Sequence, residues 1–233
     1  MLFASALKTL TIISACIGLS LALLPSAVIF PLYIYPGTNC AAWAPVVSSI
    51  STHKTVQFLI VINPASGPGA VNSQPDTNYQ ACIAQLISTG VSGNNVLIIG
   101  YVATGFGNRA VSAVNKDIDT YKGWAAAYRP KGIFFDEAAT AAASLANYQT
   151  FSARTKTDLG SSAYVVLNPG TVPLSTGYFS IADLVVTFED SYAAFSTIGV
   201  GATFMTNFDP ANAYTNIPTD WTNYLNDVVS TQA

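Results

Sequence analysis

Gly132-Ile133-Phe134-Phe135-Asp136-Glu137 is a short apolar run that stops on two acids. A run this short, rich in Ile and Phe and without polar alternation, reads as a strand covered on both faces. It sits between two longer segments of helical spacing, residues 110–127 and 137–157. The second is alanine-rich, with Leu145, Tyr148, Phe151 and Thr155 on one side. The same alternation extends outward in both directions. Further apolar runs cover residues 28–35, 56–63, 96–101, 163–168, 184–189 and 200–206, and helical segments cover 41–50 and 78–88. Thr219 or Asp220 caps a last helix through Val229. Strand–helix alternation implies parallel strands joined by right-handed crossovers. Most runs end on a polar or aromatic residue and then turn, as at Tyr35-Pro36-Gly37, Asn63-Pro64, Tyr101, Asn168-Pro169-Gly170 and Glu189-Asp190. A (β/α)8 barrel brings all such ends to one face, whereas an open doubly wound sheet uses only those near its switch point. The expected fold class is therefore α/β, a TIM-type barrel.

The acids carry the chemistry. Of 233 residues, 9% are charged and only two are glutamates, Glu137 and Glu189, each closing an apolar run. Ionised groups beside a core cost free energy, so their placement at strand ends points to a site. Two carboxyl groups facing one cavity suit cleavage of a glycosidic bond. On this reading Asp136 is the nucleophile and Glu189 the general acid/base of a retaining double displacement, with Phe188 and Asp136 raising the acid's pKa. Glu137 either contacts sugar hydroxyls or merely opens a helix, where an acid favours the dipole. Tyr35, Tyr101 and Tyr192 lie near strand ends and offer rings for sugar stacking, as does Tyr33, although tyrosine is also an ordinary strand residue. Asn63 and Asn168 either bind sugar hydroxyls or close the turns before Pro64 and Pro169. Trp43, Trp124 and Trp221 fall on helices and read as packing residues.

The rest of the chain narrows the possibilities. Lys8 is the only charge before His53, and residues 9–24 are almost wholly apolar, with a small-x-small cleavage pattern at Ser20-Leu21-Ala22. Residues 1–22 thus read as a secretory signal, or as a signal anchor if uncleaved, which is the one route to a membrane. Residues 28–233 form one domain. The net charge is −3, and the basic residues are few and scattered, which gives no support to nucleic-acid binding. A monomer is expected. Cys40 and Cys82 either pair in an oxidising compartment or are separately buried thiols. No metal-ligand spacing occurs and the chain has one histidine, so no cofactor or metal is expected. Gly105-Phe106-Gly107-Asn108-Arg109-Ala110 matches a dinucleotide fingerprint only formally, because three residues separate it from its strand and it does not follow the first one.

Several of these pieces together resemble the spherulin-4-like proteins, a family that includes fungal glycoside hydrolases of family 135. The resemblance rests on Phe30-Pro31-Leu32-Tyr33-Ile34-Tyr35-Pro36, Ile62-Asn63-Pro64, Gly100-Tyr101-Val102, Gly132-Ile133-Phe134-Phe135-Asp136-Glu137, Leu167-Asn168-Pro169-Gly170 and Phe188-Glu189-Asp190-Ser191-Tyr192. It implies a (β/α)8 barrel and endo-acting hydrolysis of an α-1,4-linked galactosamine exopolysaccharide, with preference for N-acetylgalactosamine. It also implies that Asp136, Glu137 and Glu189 are the essential acids.

One departure stands out. Only seven runs are found, and Val200 comes just eleven positions after Glu189, fewer than the dozen or more residues that a parallel crossover needs. The expectation is a barrel lacking about one βα unit near residues 196–198, through an internal deletion or a genuinely shortened fold. Two other function classes stay open. One is a non-catalytic carbohydrate-binding wall or spore-coat protein on the same barrel; the other is a Mg²⁺ enzyme with the three acids as ligands.

Overall fold

The computed structural model describes residues 27–91, 94–189, 202–203, 217 and 221–230. The sheet starts from the apolar runs: β1 (Ala27–Leu32), β2 (Gln57–Ile62), β3 (Val96–Ala103), β4 (Gly132–Asp136), β5 (Tyr164–Leu167), β6 (Leu184–Val185) and β7 (Ala202–Thr203). All pairings are parallel, in the order β6-β5-β4-β3-β2-β1-β7. Between them lie α1 (Ala44–Thr52), α2 (Thr77–Gly90), α3 (Val111–Lys122) and α4 (Leu145–Leu159), and α5 (Trp221–Ser230) follows β7.

Side-chain parity divides this sheet into two faces. Phe30, Leu32, Phe58, Ile60, Ile62, Val102, Ile133, Phe135 and Leu167 point to one, and the helices pack there through residues such as Val46, Ile83, Ile118, Phe151 and Leu225. The other face carries Ile29, Leu59, Val61, Ile99, Tyr101, Phe134 and Val166. No described helix contributes to that second cluster, yet Val61 and Val166 are fully buried. Strands that cover one another's side chains without a helix on that side must curl, which is how a barrel-type sheet buries its interior. Consecutive strand order with all helices on one face also excludes the doubly wound alternative.

Close approach of helix and sheet is set at one glycine. A Cβ at Gly100 would lie 2.7 Å from the Tyr121 ring of α3. The Tyr121 hydroxyl donates to the carbonyls of Ile62 (3.2 Å) and Tyr101 (3.0 Å), tying α3 to two strands. Trp43, Trp124 and Trp221 are buried, as packing residues should be. Cys40 and Cys82 form a disulfide with a Cα–Cα distance of 5.4 Å, joining the turn before α1 to α2. His53 is not a purely solvated loop residue: its ring contacts the Ser49 carbonyl and the Asn226 side chain of α5. No described helix is long and apolar enough to cross a membrane.

Three sequence expectations need correction or narrowing. The helix expected over 137–157 begins only at Leu145, because Glu137 takes a left-handed φ of 49° and the backbone of Ala138 and Ala139 is committed to partners outside a helix. The last acid-bearing run pairs for only two residues as β6, so Glu189 lies four residues beyond its strand. Eight-stranded closure is not found among the described residues: β6 and β7 are the two edges of a seven-stranded sheet. The suspected deletion near 196–198, Tyr192, the targeting segment over 1–22, and residues 200–201 and 204–206 of the last run lie outside the described residues.

Candidate active site

The site grows from the curled face of β4. Parity that turns Phe134 inward turns Asp136 inward too, and the register sets Phe134 beside Tyr101 and Asp136 beside Ala103. The Tyr101 ring stacks on Phe134 at 6.3 Å and meets Tyr33 edge-on at 5.5 Å. This aromatic floor keeps water from one side of Asp136. Asp136 accepts hydrogen bonds from the Tyr101 hydroxyl, the Asn168 amide and the Glu137 backbone N–H. Burial nevertheless pushes its pKa above the usual carboxylate value; these three donors oppose the shift and the Glu189 charge reinforces it. The same acid and its own burial raise the Tyr101 hydroxyl well above its ordinary value, so it remains a donor.

Asn168 brings the two acids together. It directly follows β5, is 7% exposed, and its Oδ1 accepts the backbone N–H of Gly170 at 3.0 Å. That bond fixes the amide orientation and leaves Nδ2 two hydrogens to donate. One goes to Asp136 Oδ1 at 2.8 Å and the other to Glu189 Oε2 at 2.8 Å. Both acceptors sit on one nitrogen, so they lie no further apart than twice that bond length. One oxygen of each acid is thus held within reach of the same donor, close enough for both carboxyl groups to face one bound sugar. Gly170, at φ 65°, turns the chain so that its carbonyl accepts the Glu189 N–H at 3.1 Å. Glu189 is exposed and Phe188 is 43% exposed. The apolar enclosure expected around Glu189 is thus found around Asp136 instead.

Sequence reading missed the residues that hold the end of β4. Ala139 N–H donates to the Tyr148 hydroxyl (2.7 Å), which can donate to Thr104 Oγ1 (2.7 Å). Thr104 Oγ1 in turn donates to the carbonyls of Glu137 (2.8 Å) and Asp136 (2.9 Å). Each hydroxyl has one proton, so Thr104 shares its own between the two carbonyls while accepting from Tyr148. This chain of bonds closes on residues 136–139 and pins Glu137, an exposed acid, in its left-handed conformation. No local pattern could have revealed Thr104, 32 residues from Asp136.

Other sequence candidates have more local roles. Asn63 Oδ1 accepts the Gly67 N–H at 2.8 Å and closes its own turn. Tyr35 is 51% exposed, accepts from Asn78 Nδ2 at 2.8 Å and packs edge-on to Tyr79, at the start of α2 rather than against the acids. Among the described residues no group of three His, Cys, Asp or Glu side chains is close enough to hold a metal ion.

A curled parallel sheet with helices outside and an amide-bridged carboxylate pair at its strand ends defines an α/β half-barrel with a candidate two-acid site. The model of spherulation-specific family 4 matches residues 27–203, and the chain belongs to that family. Spherulin-4 of Physarum polycephalum is 41% identical over 170 residues, 72% of this chain; the chain spans 46% of that protein's length. The structure of Aspergillus clavatus Sph3 in complex with GalNAc superposes with a TM-score of 0.77 at 31% identity, over 88% of this chain and 97% of that one.

Proposed function

We propose that this protein is an endo-acting glycoside hydrolase for polysaccharides containing α-1,4-linked N-acetylgalactosamine, acting outside the cell through Asp136 and Glu189. The observation that carries the reading is the single Asn168 nitrogen shared by both carboxylates. The Sph3 complex with GalNAc supports the sugar class. The Cys40–Cys82 bond suits an oxidising compartment. Burial favours the protonated form of Asp136, which reverses the roles expected from sequence: Asp136 serves as proton donor and the exposed Glu189 as nucleophile. Glu189 attacks the anomeric carbon while Asp136 gives its proton to the departing glycosidic oxygen. Asp136 then takes a proton from water, whose oxygen bonds to that carbon as Glu189 leaves. Glu137, exposed beside the pair, contacts sugar hydroxyls.

The test compares a polymer with an aryl glycoside whose leaving group needs no protonation. Asp136→Asn should lower polymer cleavage by about 10²–10⁴ and keep the first step on the aryl substrate, while Glu189→Gln should lose both. Full activity of either variant on polymer removes that residue from the mechanism. Among the described residues β6 and β7 stay separate edges of the sheet, which favours a second reading, a non-catalytic saccharide-binding protein on the same groove; tight binding of oligosaccharide without release of reducing ends would select it.

A further inference from the structure

Phe106 combines two unfavourable features. Its side chain is 64% exposed, and its backbone is left-handed at φ 54°, a conformation that costs a non-glycine residue free energy. The loop is nonetheless fixed. Phe106 N–H donates to the Glu137 carbonyl at 2.6 Å, so two left-handed residues, one of them a candidate site acid, are locked to each other. Gly107 is confined as well, since a Cβ there would meet Ser144 Oγ at 3.0 Å and the Ala139 Cβ at 3.1 Å.

The ring forms one wall of a cleft of about 370 Å³, lined also by Ala138, Ala139, Ala141, Pro169 and Thr171. That volume falls in the range of small-ligand sites. Neither acid lines the cleft, but its residues are chain neighbours of those at the pair: Ala138 follows Glu137, Pro169 follows Asn168, and Thr171 follows the glycine whose carbonyl accepts the Glu189 N–H. Its lining holds no charged side chain, and hydroxyls of Thr140, Ser144 and Thr171 stand among the apolar groups. An aromatic face, small apolar floor and scattered hydroxyls match an uncharged sugar ring, whose C–H face stacks and whose edges hydrogen-bond.

We propose that this cleft is a second sugar subsite, in which Phe106 stacks against the residue of the glycan next to the one held at Asp136 and Glu189. The inference rests on the saccharide reading given above but not on cleavage. Its test is calorimetric titration of an N-acetylgalactosamine tetrasaccharide and of the monosaccharide into the Glu189→Gln protein, with and without Phe106→Ala or Phe106→Tyr. The alanine change should weaken the tetrasaccharide about five- to tenfold and the monosaccharide less, and tyrosine should restore the tetrasaccharide. Equal tetrasaccharide affinity with alanine overturns the subsite, and if the wild-type protein cleaves polymer the hydrolase reading survives alone. Phe106-dependent binding by a protein that releases no reducing ends keeps the subsite and removes the hydrolase. Absence of binding to either sugar removes both.

Discussion

Asn168 directs both of its amide hydrogens at carboxylates, and this single residue ties the pair together. Its bond to Asp136 is among the contacts that hold that pKa down against burial. Asn168→Ala should therefore raise the Asp136 pKa further, moving the alkaline limb of the activity profile to higher pH. Loss of alignment should also lower kcat by about tenfold or more. An unmoved limb would separate Asn168 from Asp136. Asp136 also leaves a mark on stability. Its folded pKa lies above the usual aspartate value, so the folded chain holds that proton more tightly and stability declines as pH rises from the unfolded value through the raised one. Asp136→Asn removes that decline, so its melting temperature should gain on the wild type between pH 3 and pH 7. A constant difference across that range would show that Asp136 is not destabilised by burial. The acids themselves were legible in the sequence because each ends an apolar run in a chain poor in charge. The bridging amide was legible only as a polar turn residue, since nothing local distinguishes a turn-closing asparagine such as Asn63 from one that spans two strands.

At the level of elements, the strands were readable because continuous apolar runs are what two-sided burial demands, and all seven recur in the sheet. Their ends were less so. The run over 184–189 is apolar well past the two residues that pair as an edge strand, and periodicity does not report where hydrogen bonds cease. The start of α4 was misplaced because alanine-rich sequence favours helix, while the long-range bonds of Thr104 and Tyr148 impose another path on residues 137–139. The seating of α3 on β3 makes a sharper test. Tyr121→Phe strands the Ile62 and Tyr101 carbonyls, and chemical denaturation should show a loss of about 1–3 kcal/mol. No loss would mean that water replaces the hydroxyl.

At the scale of the molecule, the disulfide spans a sequence separation of 42 residues, and closing such a loop is worth about 4 kcal/mol in the chain-entropy account. Cys82→Ser should lower the melting temperature by about 10 °C; an unchanged value would show that the unfolded chain is not constrained by this link. Sequence left the pairing open because spacing alone does not bring two cysteines within 5.4 Å. Barrel closure stayed open for a related reason: the number of units is countable in sequence, but whether edge meets edge depends on curvature. One more consequence follows from Pro169. Asparagine ages in proteins when the nitrogen of the next residue loses its hydrogen and attacks the side-chain amide, and proline has no such hydrogen. Asn168 is thus shielded from conversion to aspartate, which would set a third acid between the other two.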